Sequence, residues 1–152
     1  MVARKIKVQV VVFQKAESGI RYLALFTKPE RGSFWQNVTG SVEPNEYLLQ
    51  AAHREVLEET GVRGVSPAID LTYRFTYPTQ YGPIEEHCFA IEAETDAIQI
   101  DAAEHVDSEW VDFAEALKRL KFESNRTAIQ RTRQYLESGS PGNPLIENIA
   151  QN

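Results

Sequence analysis

Gly40-Ser41-Val42-Glu43-Pro44-Asn45-Glu46-Tyr47-Leu48-Leu49-Gln50-Ala51-Ala52-His53-Arg54-Glu55-Val56-Leu57-Glu58-Glu59-Thr60-Gly61-Val62 is the stretch on which the reading of this chain turns. It predicts a loop followed by a helix over about Glu46–Thr60. Pro44 precedes the helix, Asn45 is placed to cap it, Glu46 sits in its first turn and Gly61 can stop it. Leu49, Ala52 and Val56 recur at helical spacing, so that face is expected to pack on a sheet. Glu55, Glu58 and Glu59 lie three and four residues apart and converge within one turn. Like charges this close destabilise a helix unless something positive joins them. Hard oxygen donors on a rigid helix suit Mg²⁺, with Mn²⁺ able to substitute, and both ions also bind phosphate oxygens. Arg54 beside them can orient a carboxylate or meet a phosphate with its fork of donors.

Outward from this helix the pattern changes to strands. Upstream, Ile6, Val8, Val10 and Val12 alternate with Lys7 and Gln9, a strand with one face buried. A turn at Ser18-Gly19 leads to a second strand over Arg21–Thr27, and Phe34–Thr39 reads as a short third one. Downstream, Leu71–Tyr77 and Glu86–Ala93 are rich enough in aromatic and β-branched residues to be strands. Asp101–Asp107 reads as acidic loop and Glu109–Val111 as a short strand. Asp112 caps a helix running to about Leu120, and Ser124 or Asn125 caps another running to about Glu137. Strands mixed with a few helices predict an α/β or α+β layered fold.

The chain has 152 residues, 42% of them hydrophobic and 25% charged, which fits one domain, placed over residues 1–138, with an irregular tail over 139–152. A net charge of −6 argues against long nucleic acid as a partner. It also means that an anionic substrate needs local help from a cation and a few basic side chains. The single cysteine, Cys88, excludes an intrachain disulfide and agrees with a reducing cytoplasm. The apolar run from Val8 to Phe13 is too short and too broken by Gln9 for a membrane span or a secretion signal, so a cytoplasmic protein without membrane contact is expected.

The quoted stretch resembles the Nudix box: Gly, five residues, Glu, seven residues, then Arg-Glu-apolar-x-Glu-Glu-x-Gly-apolar. Every constrained position is filled, and chance would fill them in a chain of this length with a probability on the order of 10⁻⁸. The resemblance implies the Nudix fold, a mixed β-sheet sandwiched between helices (an α/β/α sandwich). It also implies a metal-dependent attack of water on phosphorus within a phosphate chain. By that implication Glu55 and Glu59 are metal ligands, and Glu58 is a ligand or the base that activates water. The Gly40 carbonyl completes the shell, and Glu46 and Arg54 hold the box in shape.

The flanking stretches Phe34-Trp35-Gln36-Asn37-Val38-Thr39-Gly40-Ser41-Val42-Glu43, Ala103-Glu104-His105 with Trp110, and Ser124-Asn125-Arg126 resemble the bacterial dihydroneopterin triphosphate diphosphatases, a branch that also hydrolyses dATP. That likeness implies Glu104 as a further metal ligand, Lys5, Lys28 and Thr39 as substrate contacts, and Trp35 as a stacking platform for the ring. Without it, Glu104 reads as a loop acid, the lysines as solvated strand ends, and Asn125 and Arg126 as helix cap and surface charge. The expected activity is hydrolysis of dihydroneopterin triphosphate or a (deoxy)nucleoside triphosphate to monophosphate and pyrophosphate, and a pterin substrate would give the enzyme a place in folate synthesis. Hydrolysis of a dinucleoside polyphosphate or ADP-ribose is an alternative, and a non-catalytic nucleotide-sensing module a more remote one. The protein is expected to act as a monomer or homodimer.

Overall fold

The computed structural model describes residues 5–139. Of the expected tail, residues 140–152 lie outside the described residues, as do residues 1–4 of the expected domain. Strand β1 (Lys5–Ala16) and strand β2 (Gly19–Thr27) form the expected hairpin, followed by a 3₁₀ turn at Pro29–Arg31. Strands β3 (Trp35–Gln36) and β4 (Val38–Ser41), helix α1 (Leu48–Thr60), strands β5 (Ile69–Tyr77), β6 (Ile84–Glu92) and β7 (His105–Val111) come next, and helices α2 (Phe113–Arg119) and α3 (Glu123–Ser138) close the fold.

The strands form one seven-stranded mixed sheet with the path β3-β2-β1-β6-β5, to which β4 adds on β1 and β7 on β2. Its centre is β1, antiparallel to β2 and β4 and parallel to β6. Sequence alternation predicts one buried face for β1, yet Val8 to Phe13 are buried on both. The reason is the layering. Val8, Val10 and Val12 pack with Ala51, Ala52 and Val56 of α1, whereas Val11 and Phe13 pack with Ala116 of α2 and with Ala128 and Ile129 of α3. The expected α/β/α sandwich is therefore the observed one.

Several boundaries differ from expectation. Asn45 has φ 65°, a left-handed turn conformation that its short side chain tolerates, so it does not cap the helix. The helix begins two residues after Glu46, and Gln50 Oε1 accepts from the Tyr47 N–H at 2.9 Å. Leu49, expected on the packed face, is 45% exposed, and Ala51 and Ala52 take the sheet contact. The third strand splits at Asn37, and β7 starts at His105 instead of Glu109 because it pairs as far as Thr27 on β2. Helix α3 starts at Glu123, ahead of both expected caps. Asp112 does cap α2, accepting from the Glu115 N–H at 2.8 Å, and Gly61 ends α1 in the left-handed conformation.

Helices α2 and α3 cover only part of their face of the sheet. Lys5, Lys7 and Gln9 alternate onto the same face of β1 as the buried Val11 and Phe13. Beyond the N-terminus of α3 this face is left open as a cleft.

Candidate active site

The cleft has two halves. One is lined by the α1 carboxylates: Glu55, Glu58 and Glu59 face Gly40 and Ser41 of β4, Asp101 and Glu104, with a volume of about 360 Å³. The other, about 450 Å³, is lined by Phe34, Phe75, Tyr77 and Phe122 with a polar floor of Gln9, Glu86 and Asn125. Lys7, Arg31 and Thr39 line both halves.

Arg54 organises the acidic half. Its Nε donates to Glu46 Oε2 at 2.7 Å and its Nη2 to Glu46 Oε1 at 2.9 Å. Nη2 also donates to the Ser41 carbonyl at 2.8 Å, and Nη1 donates to Glu55 Oε1 at 2.7 Å and Glu58 Oε2 at 3.2 Å. All five N–H donors of the guanidinium are engaged. These bonds hold the Glu46 carboxyl below the usual carboxylate range and raise the Arg54 pKa further. Glu46 thus holds Arg54 from a turn ahead of the helix, and its oxygens also accept from the Glu43 N–H at 3.0 Å.

Glu55 and Glu59 are both buried. Burial raises the Glu59 carboxyl well above its ordinary value, and the adjoining Glu55 carboxylate raises it again. Glu59 Oε1 is buried without a hydrogen-bond partner, and so is His105 Nδ1, which lies 3.8 Å from it. His105 Nε2 sits 3.0 Å from Gln36 Nε2; a donating amide there leaves the proton on Nδ1, facing Glu59. Burial pushes the His105 pKa down to about 4. Gly40 faces Glu55 so closely that a Cβ would overlap the carboxylate, so only glycine leaves that side chain its place.

Among the described residues, no group of three or more His, Cys, Asp or Glu side chains stands arranged to hold a metal. Arg54 draws Glu55 and Glu58 toward itself, and Glu104 is paired with Arg31. The donor chemistry nonetheless fits a hard divalent cation. Two buried carboxylates adjoin, one oxygen between them lacks any donor, and Glu58 is exposed enough to swing in.

The sequence-predicted residues separate cleanly. Glu46, Arg54, Glu55, Glu58, Glu59, Glu104, Gly40 and Thr39 come together. Lys28 does not line the cleft; its backbone N–H donates to the Glu104 carbonyl at 3.1 Å, and the basic side chain that reaches in from this turn is Arg31. Lys5 is exposed at the head of β1, and Lys7, one pleat further along, lines the cleft instead, its pKa lowered by burial and raised in part by Glu86. Trp35 does not line the cleft but packs on the core beneath α2 and α3, its ring 4.9 Å from that of Phe26 with the Arg119 guanidinium 5.4 Å from its centroid, while its neighbour Phe34 lines the ring cleft. Arg126 donates to the Leu120 and Lys121 carbonyls and so stabilises the turn into α3. The β1 alternation was the signal that could have found Lys7, since it shares a face with Gln9.

The NUDIX domain model matches residues 4–132. The chain belongs to the NUDIX family. The chain is an enzyme of the NUDIX hydrolase class. A relative named octanoyltransferase from Myxococcus xanthus is 43% identical over 117 residues, 73% of this chain, but the chain spans only 32% of that protein's length, so its name belongs to a much longer molecule. Dihydroneopterin triphosphate diphosphatase of Haemophilus influenzae is 28% identical over 137 residues, covering 82% of this chain and 84% of that one. The solved structure of the E. coli dihydroneopterin triphosphate pyrophosphohydrolase superposes with a TM-score of 0.67 at 27% identity, covering 86% of this chain and 96% of that one.

Proposed function

We propose that this NUDIX enzyme is a divalent-metal-dependent pyrophosphohydrolase that cleaves dihydroneopterin triphosphate or a (deoxy)nucleoside triphosphate to the monophosphate and pyrophosphate. The observation that carries this reading is the pair of joined half-clefts, one acidic and one aromatic, with Lys7, Arg31 and Thr39 lining both. A substrate with a flat ring at one end and a phosphate chain at the other fits that division, and the relatives named for a pterin triphosphate support it.

In this reading the aromatic side chains hold the ring and Lys7 and Arg31 neutralise part of the phosphate charge. Glu55, Glu59, Glu104 and the Gly40 carbonyl, with Glu58 available as a further donor, would hold Mg²⁺, or Mn²⁺ in its place. When bound, the cation offsets negative charge on the phosphate oxygens and lowers the pKa of water. Glu58, the most accessible of the three helix carboxylates, would serve either as a further ligand or as the base that takes a proton from the attacking water. Arg54, fixed by Glu46, keeps Glu55 and Glu58 in position between turnovers.

The test is steady-state hydrolysis with Mg²⁺ over dihydroneopterin triphosphate, dATP, the other nucleoside triphosphates, ADP-ribose and diadenosine tetraphosphate, with products separated by ion exchange. The highest kcat/KM on a triphosphate, with release of pyrophosphate, is the expected result. A preference for a dinucleotide, or release of orthophosphate, overturns the substrate reading.

A further inference from the structure

Glu86 is the only carboxylate among the residues lining the aromatic half of the cleft, and it is 6% exposed. It stands on β6, level with Lys7 of β1 on one side and Phe75 of β5 on the other. The hydrogen bonds around it run in a fixed direction. Asn37 Nδ2 donates to the Asn125 carbonyl at 3.3 Å, which sets the Asn37 amide, and also donates to Gln9 Oε1 at 2.8 Å. The Gln9 amide therefore presents its Nε2, which donates to Glu86 Oε2 at 2.8 Å, while the Tyr77 hydroxyl donates to Oε1 at 2.9 Å. Both protein donors are neutral. Each carboxylate oxygen keeps acceptor capacity after one such bond, so the floor of the cleft is a negatively charged double acceptor. Phe75 flanks it, and Phe34 and Phe122, in edge contact at 5.1 Å, form another wall.

We propose that Glu86 is the specificity-determining residue of this cleft, selecting a ring that presents a ring N–H and an adjacent exocyclic amino group, the 2-amino-4-oxo edge shared by guanine and pterins. Resting on the triphosphate reading above, this inference narrows its substrate class. Two parallel N–H donors meet the two carboxylate oxygens in the bidentate manner that makes such pairs strong. Adenine offers one amino group beside a bare ring nitrogen, whose lone pair would face the carboxylate, and that repulsion selects against it. Hypoxanthine keeps the ring N–H but lacks the amino group, which isolates one of the two bonds.

The experiment measures kcat/KM of the wild-type enzyme for dGTP, dihydroneopterin triphosphate, dITP and dATP, then of Glu86→Gln for the same four. Wild type is expected to favour dGTP and the pterin over dITP and dATP by about tenfold or more, because a site built to bond a polar edge discriminates strongly against its absence. In Glu86→Gln the dGTP-to-dITP ratio is expected to collapse toward unity, because kcat/KM falls further for dGTP, which loses two bonds, than for dITP, which loses one, with a thermal melt verifying the fold. Equal use of dGTP and dITP by wild type, or a preference for dATP, overturns the inference without touching the pyrophosphohydrolase reading. A Glu86→Gln enzyme that keeps the wild-type ratio also overturns it. Calorimetric binding of dGMP against dIMP to the wild-type protein reads the same selection with no hydrolysis, so the ring rule stands or falls even if no triphosphate is cleaved. A stronger pterin than guanine response assigns the edge to a pterin, and the reverse assigns it to a guanine nucleotide.

Discussion

Arg54 carries five hydrogen bonds to two elements and to the turn between them, a density that a lysine cannot reproduce. Arg54→Lys would leave Glu46 and the Ser41 carbonyl short of donors and lower stability by about 2 kcal/mol, read as the midpoint of urea unfolding. Activity would fall further than stability, because Glu55 and Glu58 lose the group that aligns them. Gly40 tests the same geometry from the other side. A methyl group at this position displaces the Glu55 carboxylate, so Gly40→Ala is expected to lower kcat on the order of 10²-fold with an unchanged far-UV circular dichroism spectrum. Wild-type turnover in that variant would show that Glu55 need not occupy its observed place. Glu59→Gln keeps the shape of the side chain and removes its charge; loss of turnover with a retained melting transition is expected, and substantial activity would remove Glu59 from the ligand set.

At the scale of elements, the site is built where three of them end. The left-handed turn at Asn45 drops Glu46 against Arg54, β4 brings Gly40 to α1, and the first turn of α3 inserts Asn125 into the sheet. Asn125 is buried, and its side chain is the acceptor for the Asn37 N–H, so Asn125→Ala strands a buried donor and is expected to cost about 1–3 kcal/mol. For a domain of this size that is a fall of several degrees in Tm, measured by thermal melting. The box helix, the strands and the clustered carboxylates of α1 were legible because each is a local pattern of fixed spacing. Asn125 was not, because it looks like a helix cap until the fold sets it 88 positions away against Asn37. Trp35 and Phe34 are adjacent, and sequence alone does not say which of the two rings packs on the core beneath α2 and α3 and which the cleft leaves open. Lys28 and Arg31 share a turn whose 3₁₀ geometry decides which one points inward.

For the whole molecule, charge and burial act together. The chain carries −6, and Glu43, Glu55, Glu58, Glu59, Asp101 and Glu104 all line the half-cleft that the phosphate chain of the proposed substrate would enter. Folding places Glu55 and Glu59 against each other away from water, an arrangement that costs free energy unless a cation joins them. A divalent cation that binds only the folded state must therefore raise stability by mass action, about 2.7 kcal/mol at a hundredfold excess over its Kd. Thermal melting in EDTA and then in increasing Mg²⁺ is expected to show Tm climbing by roughly 5–10 °C. Glu59→Gln removes the charge that makes the cation favourable, so its melting temperature should respond far less. If that variant gained as much as wild type, the stabilising cation would sit elsewhere on the acidic surface, and the buried Glu55–Glu59 pair would need another source of positive charge, for which Arg54, Arg31 and Lys7 are the candidates.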